Sequence, residues 1–149
     1  DTWAPTLCAL LTASRRTIRV AAYSVSTRWP TGVRGQYAVL PRMEEAARAG
    51  ARCEALLALP SKAGQRRVWN AHAAERLRTA GWRVRFVPGS RLLHAKLWIF
   101  NSAAYMIGSH NTAQAAATAN TELSCLMLVD APLETIEAWW CDQWTRGVL

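Results

Sequence analysis

Lysine is almost missing from this chain: of eighteen basic residues, only Lys62 and Lys96 are not arginine. Acidic side chains are scarce as well, ten in 149 residues, which leaves a net charge of +8 and a pI near 10.2. No apolar run reaches the ~18 residues of a spanning helix, so the chain should not cross a membrane. No C-x-x-C pair occurs, and no histidine lies three to five residues from another. The usual zinc frameworks are thereby removed, and neither metal nor cofactor is expected. Cys8, Cys53, Cys125 and Cys141 sit in apolar surroundings such as TLCAL and LSCLML. They read as buried free thiols, with two disulfides as the alternative. No repeat or low-complexity segment interrupts the sequence. Its start, DTWAPTLCALLTASRR, has no basic segment ahead of the apolar stretch, unlike an intact signal peptide. A cytoplasmic location is expected, or a periplasmic or secreted one if the chain is a processed mature form.

What is present is enough to fold. With 51% hydrophobic and 19% charged residues the chain can bury one core, and residues 1–149 read as a single domain. The arginine surplus points to a polyanion, nucleic acid first and an anionic membrane surface second, because the guanidinium fork matches phosphate oxygens.

Periodicity predicts helix over Pro5–Ala13, a doubly covered strand over Thr17–Val25, and a Pro/Gly-bearing loop over Ser26–Tyr37. A helix over Val39–Arg48 ends at Gly50, and a buried strand over Ala51–Leu59 ends at Pro60. A basic turn leads into a helix over Val68–Thr79, followed by a strand over Arg83–Val87. Two strands, Leu92–Phe100 and Ala104–Ser109, are joined by a turn at Asn101-Ser102. A last strand, Thr121–Val129, precedes a helix capped by Asp130 with Pro132 in its first turn. This alternation predicts an α/β fold: three layers, α-β-α, around a mixed, mostly parallel central sheet that ends in an antiparallel pair.

Residues 94–111 read HAKLWIFNSAAYMIGSHN. His94 and Lys96, two apart on a strand, should leave the same face, as should Ser109 and Asn111 on or past the next strand. A hairpin would gather imidazole, ammonium, hydroxyl and amide on one patch, with Gly108 permitting close backbone approach. Such a set suits a phosphoryl group, offering a nucleophile, a point charge and neutral donors.

The string H-x-K, then Asn101, then G-S-x-N resembles the signature of the phospholipase D superfamily. Six fixed positions give on the order of 10⁻⁶ chance matches in a chain of this length. TIRVAAYSV resembles the family's first strand, EEAARAGARCEALLAL its helix and second strand, and NTELSCLMLV the strand after the motif. Asn101 stands where the family usually has Asp, a position read there as structural. Since His94-Ala95-Lys96 is the only H-x-K, the chain resembles the small single-motif bacterial endonuclease branch. That resemblance implies a metal-independent phosphodiesterase, or nuclease, that hydrolyses DNA or RNA as a homodimer with a shared site. In it, one His94 attacks phosphorus and the other protonates the leaving oxygen. Lys96, Ser109 and Asn111 hold phosphoryl oxygens, and Glu122 orients His94. A nucleic-acid-binding module with little turnover and a phospholipid phosphodiesterase are the alternatives.

Around the motif, Trp29 sits in the long loop among arginines and offers a base-stacking contact or a loop anchor. Arg66, Arg67, Arg83, Arg85 and Arg91 are candidates to line a nucleic-acid groove, each having a solvated surface charge as its plainer reading. His110 should point away from Ser109 and Asn111, and His72 should lie on a solvated helix face. Trp139, Trp140 and Trp144 on the last helix are core candidates, with part of that face open to a dimer interface.

Overall fold

The computed structural model describes residues 2–28, 38–59, 66–88 and 92–149, with only the backbone described for 66–69. In chain order the elements are α1 (Trp3–Ala13), β1 (Thr17–Ala22), α2 (Val39–Arg48), β2 (Arg52–Ala58), α3 (Arg66–Thr79) and β3 (Arg83–Val87). They continue with β4 (Lys96–Phe100), β5 (Ala104–Gly108), α4 (Gln114–Thr118), β6 (Ser124–Leu128) and α5 (Glu134–Arg146). The strands form one sheet in the order β3-β2-β1-β4-β5-β6. β1, β2 and β3 pair in parallel, while β4 is antiparallel to β1, β5 to β4, and β6 to β5.

The sheet is mixed, as expected, but its antiparallel part spans three pairings rather than one terminal pair. The linker from Val87 to Lys96 explains this. It is too short for the crossover of a dozen or more residues that a parallel return requires. The chain therefore leaves β3 at the carboxyl edge and enters β4 from that same edge.

Alternation along each strand fills a core on both sides of the sheet. Leu7, Leu11, Leu40, Met43 and Leu77 from α1, α2 and α3 pack on Ile18, Val20, Leu57, Trp98 and Phe100. On the other side Trp140 of α5 packs on Ala21, Leu56, Ile99 and Tyr105. Trp139 and Trp144 are half-buried against this second cluster, so the last helix spends its aromatic face within the chain. Gly50 (φ 95°) and Gly81 (φ 105°) follow the ends of α2 and α3 in the left-handed conformation that terminates helices. Arg19 on β1 fixes α5 to the sheet: its guanidinium donates to both Glu137 carboxylate oxygens (2.6 and 2.7 Å) and to Ser102 Oγ (2.8 Å). Tyr105 Oη donates to the same carboxylate at 2.7 Å and holds its ionisation below the usual range together with Arg19, against the opposing effect of burial.

Several local expectations change. β4 begins at Lys96 rather than Leu92, so His94 precedes the strand instead of lying on it. α5 begins at Glu134, with Leu133 before it and no side-chain cap, so neither Asp130 nor Pro132 belongs to the helix start. The bond from Leu133 N–H to Tyr105 Oη (3.1 Å) sets the entry instead. α4 is an element the periodicity did not suggest. All four cysteines are free, but only Cys8 and Cys53 are buried, and burial pushes their thiols up to about 11 and about 12. Cys125 and Cys141 are exposed because β6 is an outer strand and Cys141 lies off the packed side of α5.

The β4–β5 turn ties the hairpin to β1. Asn101 and Ser102 both have positive φ (56° and 54°), and Ala103 N–H donates to Phe100 C=O at 3.0 Å. Asn101 tolerates this conformation because its short polar side chain bonds locally. Its Oδ1 accepts from Thr17 N–H (3.1 Å) and Arg16 N–H (3.3 Å), and its own N–H donates to Thr17 C=O (2.9 Å). Asn101→Ala should therefore lower unfolding free energy by about 1–2 kcal/mol, while Asn101→Asp, which keeps the acceptor, should match or exceed the parent. Urea denaturation midpoints check this; equal midpoints for parent and alanine variant would contradict it.

Candidate active site

The motif strands meet at the carboxyl edge of β1. Ala22 pairs with Lys96, and Leu97 with Ile107, so one further step of register sets Lys96 opposite Gly108. His94 is exposed on the segment just before β4, and Lys96 is half-buried as its first residue. The Lys96 ammonium lies 3.1 Å from His94 Nδ1 and 3.0 Å from Nε2, and donates to the His94 carbonyl at 2.8 Å. Burial draws the Lys96 ammonium below its ordinary pKa, and the charge of Glu122 opposes that shift. A cation is thus held beside the imidazole at the rim of the sheet.

Ser109 follows β5, and its backbone N–H donates to Leu123 C=O at 2.9 Å. Its hydroxyl accepts from Leu123 N–H at 3.1 Å and donates to Glu122 Oε2. Asn120 Nδ2 donates to Glu122 Oε1 at 3.0 Å. These two bonds, the serine's first, hold the Glu122 carboxyl below the usual carboxylate range, so it is an anion at neutral pH. Gly108 is required by the same packing: a Cβ there would collide with Ser124 Oγ and the Leu123 carbonyl. Asn111 is half-buried, and its Oδ1 has no hydrogen-bond partner among the described residues. Leaving such an acceptor unmet costs roughly 1–3 kcal/mol.

The fold thus brings His94, Lys96, Ser109 and Glu122 to one edge, with Asn111 two residues beyond Ser109. The described bonds of Glu122 run to Ser109 and Asn120 rather than to His94 of its own chain. Asn101 lies at the opposite end of β4, where its role is the turn described above. His110 points inward as expected: it stacks on Trp3 (centroids 4.7 Å apart, planes 7° apart) and shares a 2.7 Å bond with Ser124 Oγ. Burial lowers its pKa, with Glu122 opposing. His72 is exposed on α3.

Of the arginines expected to line a nucleic-acid groove, the structure describes the side chains of Arg83 and Arg85. Both lie on the α5 side of β3, three strands from β4, over the Trp144 ring at 5.3 and 4.9 Å. Arg83 also pairs with Glu54 at 2.9 Å, and Arg85 donates to Trp144 C=O. Strand alternation puts the two side chains on one face, and α5 occupies that face. Trp29 and Arg91 lie outside the described residues, as do the side chains of Arg66 and Arg67, which open α3.

One neighbour of the site was not legible beforehand. The Tyr23 ring, one residue past β1, lies 4.9 Å from the His94 ring and 5.3 Å from the Lys96 ammonium. Nothing in its spacing relates it to residues some seventy positions away.

The family described as "Cardiolipin synthase, PLD-like domain" matches residues 7–142. No curated protein matches the chain by sequence. Among solved structures, it is similar to Nuc, a phospholipase D family member from Salmonella typhimurium. The two are 19% identical over 96% of this chain and 87% of Nuc, with a TM-score of 0.77. NucT from Helicobacter pylori is similar at 16% identity over 97% and 88% of the two chains, with a TM-score of 0.75. TrmBL2, an archaeal chromatin protein, is 13% identical over 99% of this chain and 50% of its own, at 0.61. Matched along nearly its whole length and built on the fold of these relatives, the chain belongs to the phospholipase D-like family, a phosphodiesterase superfamily.

Proposed function

We propose that the protein is a metal-independent nuclease that cleaves nucleic-acid phosphodiesters through a phosphohistidine, in a site completed by a second copy of the chain. The observation that carries this reading is the meeting of His94, Lys96, Ser109 and Glu122 at one sheet edge. A ring nitrogen of His94 attacks phosphorus, the P–N bond forms, and the P–O bond to the leaving group breaks. The leaving oxygen takes its proton from the imidazolium of the partner subunit's His94. That second imidazole then removes a proton from water, whose oxygen displaces His94 and yields a phosphomonoester. Lys96 steadies the non-bridging oxygens, joined by Ser109 once its hydroxyl proton turns from Glu122 to the phosphoryl group, with Asn111 beside them.

Net charge supports nucleic acid as the substrate. A balance of +8 favours a phosphate polymer over a neutral ester, and the likeness to a chromatin protein points the same way. Asn101 performs its acceptor task at the far end of β4, so an amide in place of a carboxylate is no argument for lost turnover. Among the described residues, no group of three His, Cys, Asp or Glu gathers to hold a metal ion.

The dimer face we assign is the outer strand rather than the tryptophan helix. Leu123 is 81% exposed and Leu128 74%, with Leu126, Ile107 and Cys125 also exposed on β5 and β6. Such an apolar edge invites pairing. Leu123 and Leu126 line a hollow of about 220 Å³ with Trp3, His110 and Glu122, so a copy seated there would reach the site.

A labelled oligonucleotide should be cut in excess EDTA, and His94→Ala should abolish the cutting. Lys96→Ala should cost several kcal/mol of transition-state stabilisation, on the order expected for an oxyanion partner, and Ser109→Ala less. Cardiolipin and phosphatidylcholine vesicles serve as the competing substrates. Loss of activity in chelator with recovery in Mg²⁺, or preferential turnover of lipid, would overturn the assignment.

Sedimentation should show a dimer at micromolar concentration that Leu128→Asp weakens. Exchange of wild type with His94→Ala protomers should depress activity below the wild-type fraction. Activity proportional to that fraction, despite demonstrated exchange, would exclude a shared site.

A further inference from the structure

His94 precedes β4, outside any strand ladder, and its ring is exposed. A nucleophile so placed needs something other than the ladder to hold its plane. The described side chain that lies against both His94 and Lys96 is Tyr23. Its ring is tilted 56° to the imidazole at 4.9 Å, and its face meets the ammonium at 5.3 Å. We propose that Tyr23 is a positioning residue for the phosphoryl-transfer site, its aromatic ring holding the His94 imidazole and the Lys96 ammonium together. The proposal rests on the reading of His94 as the reacting group.

The ring can do this because its backbone is immobilised from two sides. Asn70 of α3 is 2% exposed, and its amide donates to Tyr23 C=O and Ala58 C=O, both at 3.0 Å. Its Oδ1 accepts from Val25 N–H at 3.0 Å. A buried amide with three backbone bonds is held in one orientation, and it stitches the segment after β1 to the end of β2. On the other side Thr112, next to Asn111, donates its N–H to Ser24 C=O (3.1 Å) and accepts from Ser26 N–H (2.8 Å). Residues 23–26 are therefore clamped between the core and the segment that carries Ser109 and Asn111.

The contact also answers an electrostatic need. Lys96 is partly withdrawn from water, and burial lowers its pKa. An aromatic face is one of the few partners that favours the ammonium without neutralising it, because the ring carries a quadrupole rather than a charge. A carboxylate in that place would compete with substrate phosphate for the lysine.

Tyr23→Leu should lower kcat for an oligonucleotide about 10- to 100-fold while KM changes less than about threefold, the pattern of lost alignment rather than lost binding. Tyr23→Phe should stay within about threefold of the parent. The histidine ring resonances, assigned to His94 by its absence in His94→Ala, should shift in the leucine variant and stay close to parent in the phenylalanine variant. This NMR readout needs no turnover. A parent without activity overturns the catalytic reading, while the resonances still decide whether Tyr23 sets the ring. If Tyr23→Leu does not fold, Tyr23→Met takes its place. Unchanged kcat, unshifted His94 resonances, or equal losses in the leucine and phenylalanine variants would each overturn the proposal.

Discussion

Antiparallel entry of β4 beside β1 is the constraint on which the site depends. Had the chain crossed over and run parallel, Lys96 would lie at the opposite edge of the sheet, beside Thr17 rather than Ala22. The linker after Val87 is too short for that crossover, so β4 begins where β1 ends. The return through Asn101 and Ser102 then brings β5 back to the same edge. Its last residue, Gly108, lies so close to β6 that only hydrogen fits, and this closeness presents Ser109 to Glu122. Lys96 and Ser109, close on the sheet but thirteen positions apart in sequence, meet through backbone pairing rather than through side-chain attraction.

Polar groups at the two ends of β4 perform different work. At the turn, the Asn101 side-chain oxygen and the Arg19–Glu137–Tyr105 cluster are bonded within the chain and hold the hairpin, β1 and α5 together. At the other end, Asn111 retains an unmet acceptor, and the His94 ring is exposed. A fully bonded network specifies structure, whereas the exposed His94 ring and the Lys96 ammonium beside it are the groups that the proposed reaction offers to a phosphate, which as an anion cannot use the Asn111 acceptor. That division separates Asn101 from the chemistry although it belongs to the same motif.

Much of this was legible in the chain because it is local. β-branched and apolar runs marked β1 and β2, and helix boundaries at Val39–Arg48 followed from periodicity and Gly50. Two-residue spacing on one strand suggested that His94 and Lys96 share a face, but β4 begins at Lys96, and the pair meets because the ammonium folds back onto the His94 ring and carbonyl. Other information was not local. Arg83 and Arg85 were candidates for a nucleic-acid groove or solvated surface charges; Arg83 is exposed, and both lean on the Trp144 ring, some sixty residues later in the chain. Asp130-Ala131-Pro132 has the composition of a helix start, but tertiary bonding of Leu133 to Tyr105 delays α5 by a turn. Tyr23 belongs to an apolar strand by composition, and only the sheet order places its ring on His94. Exposure of Cys125 likewise follows from β6 being the outer strand of the sheet.

In the proposed reaction His94 becomes covalently bonded to phosphorus. The most direct measurement is a rapid denaturing quench of wild-type enzyme turning over an oligonucleotide labelled at the scissile phosphate, in chelator. Protein-bound label that is lost in acid, survives alkali, and maps to the peptide containing His94 is expected. Turnover without a protein adduct, or an acid-stable adduct mapping to Ser109, would contradict it.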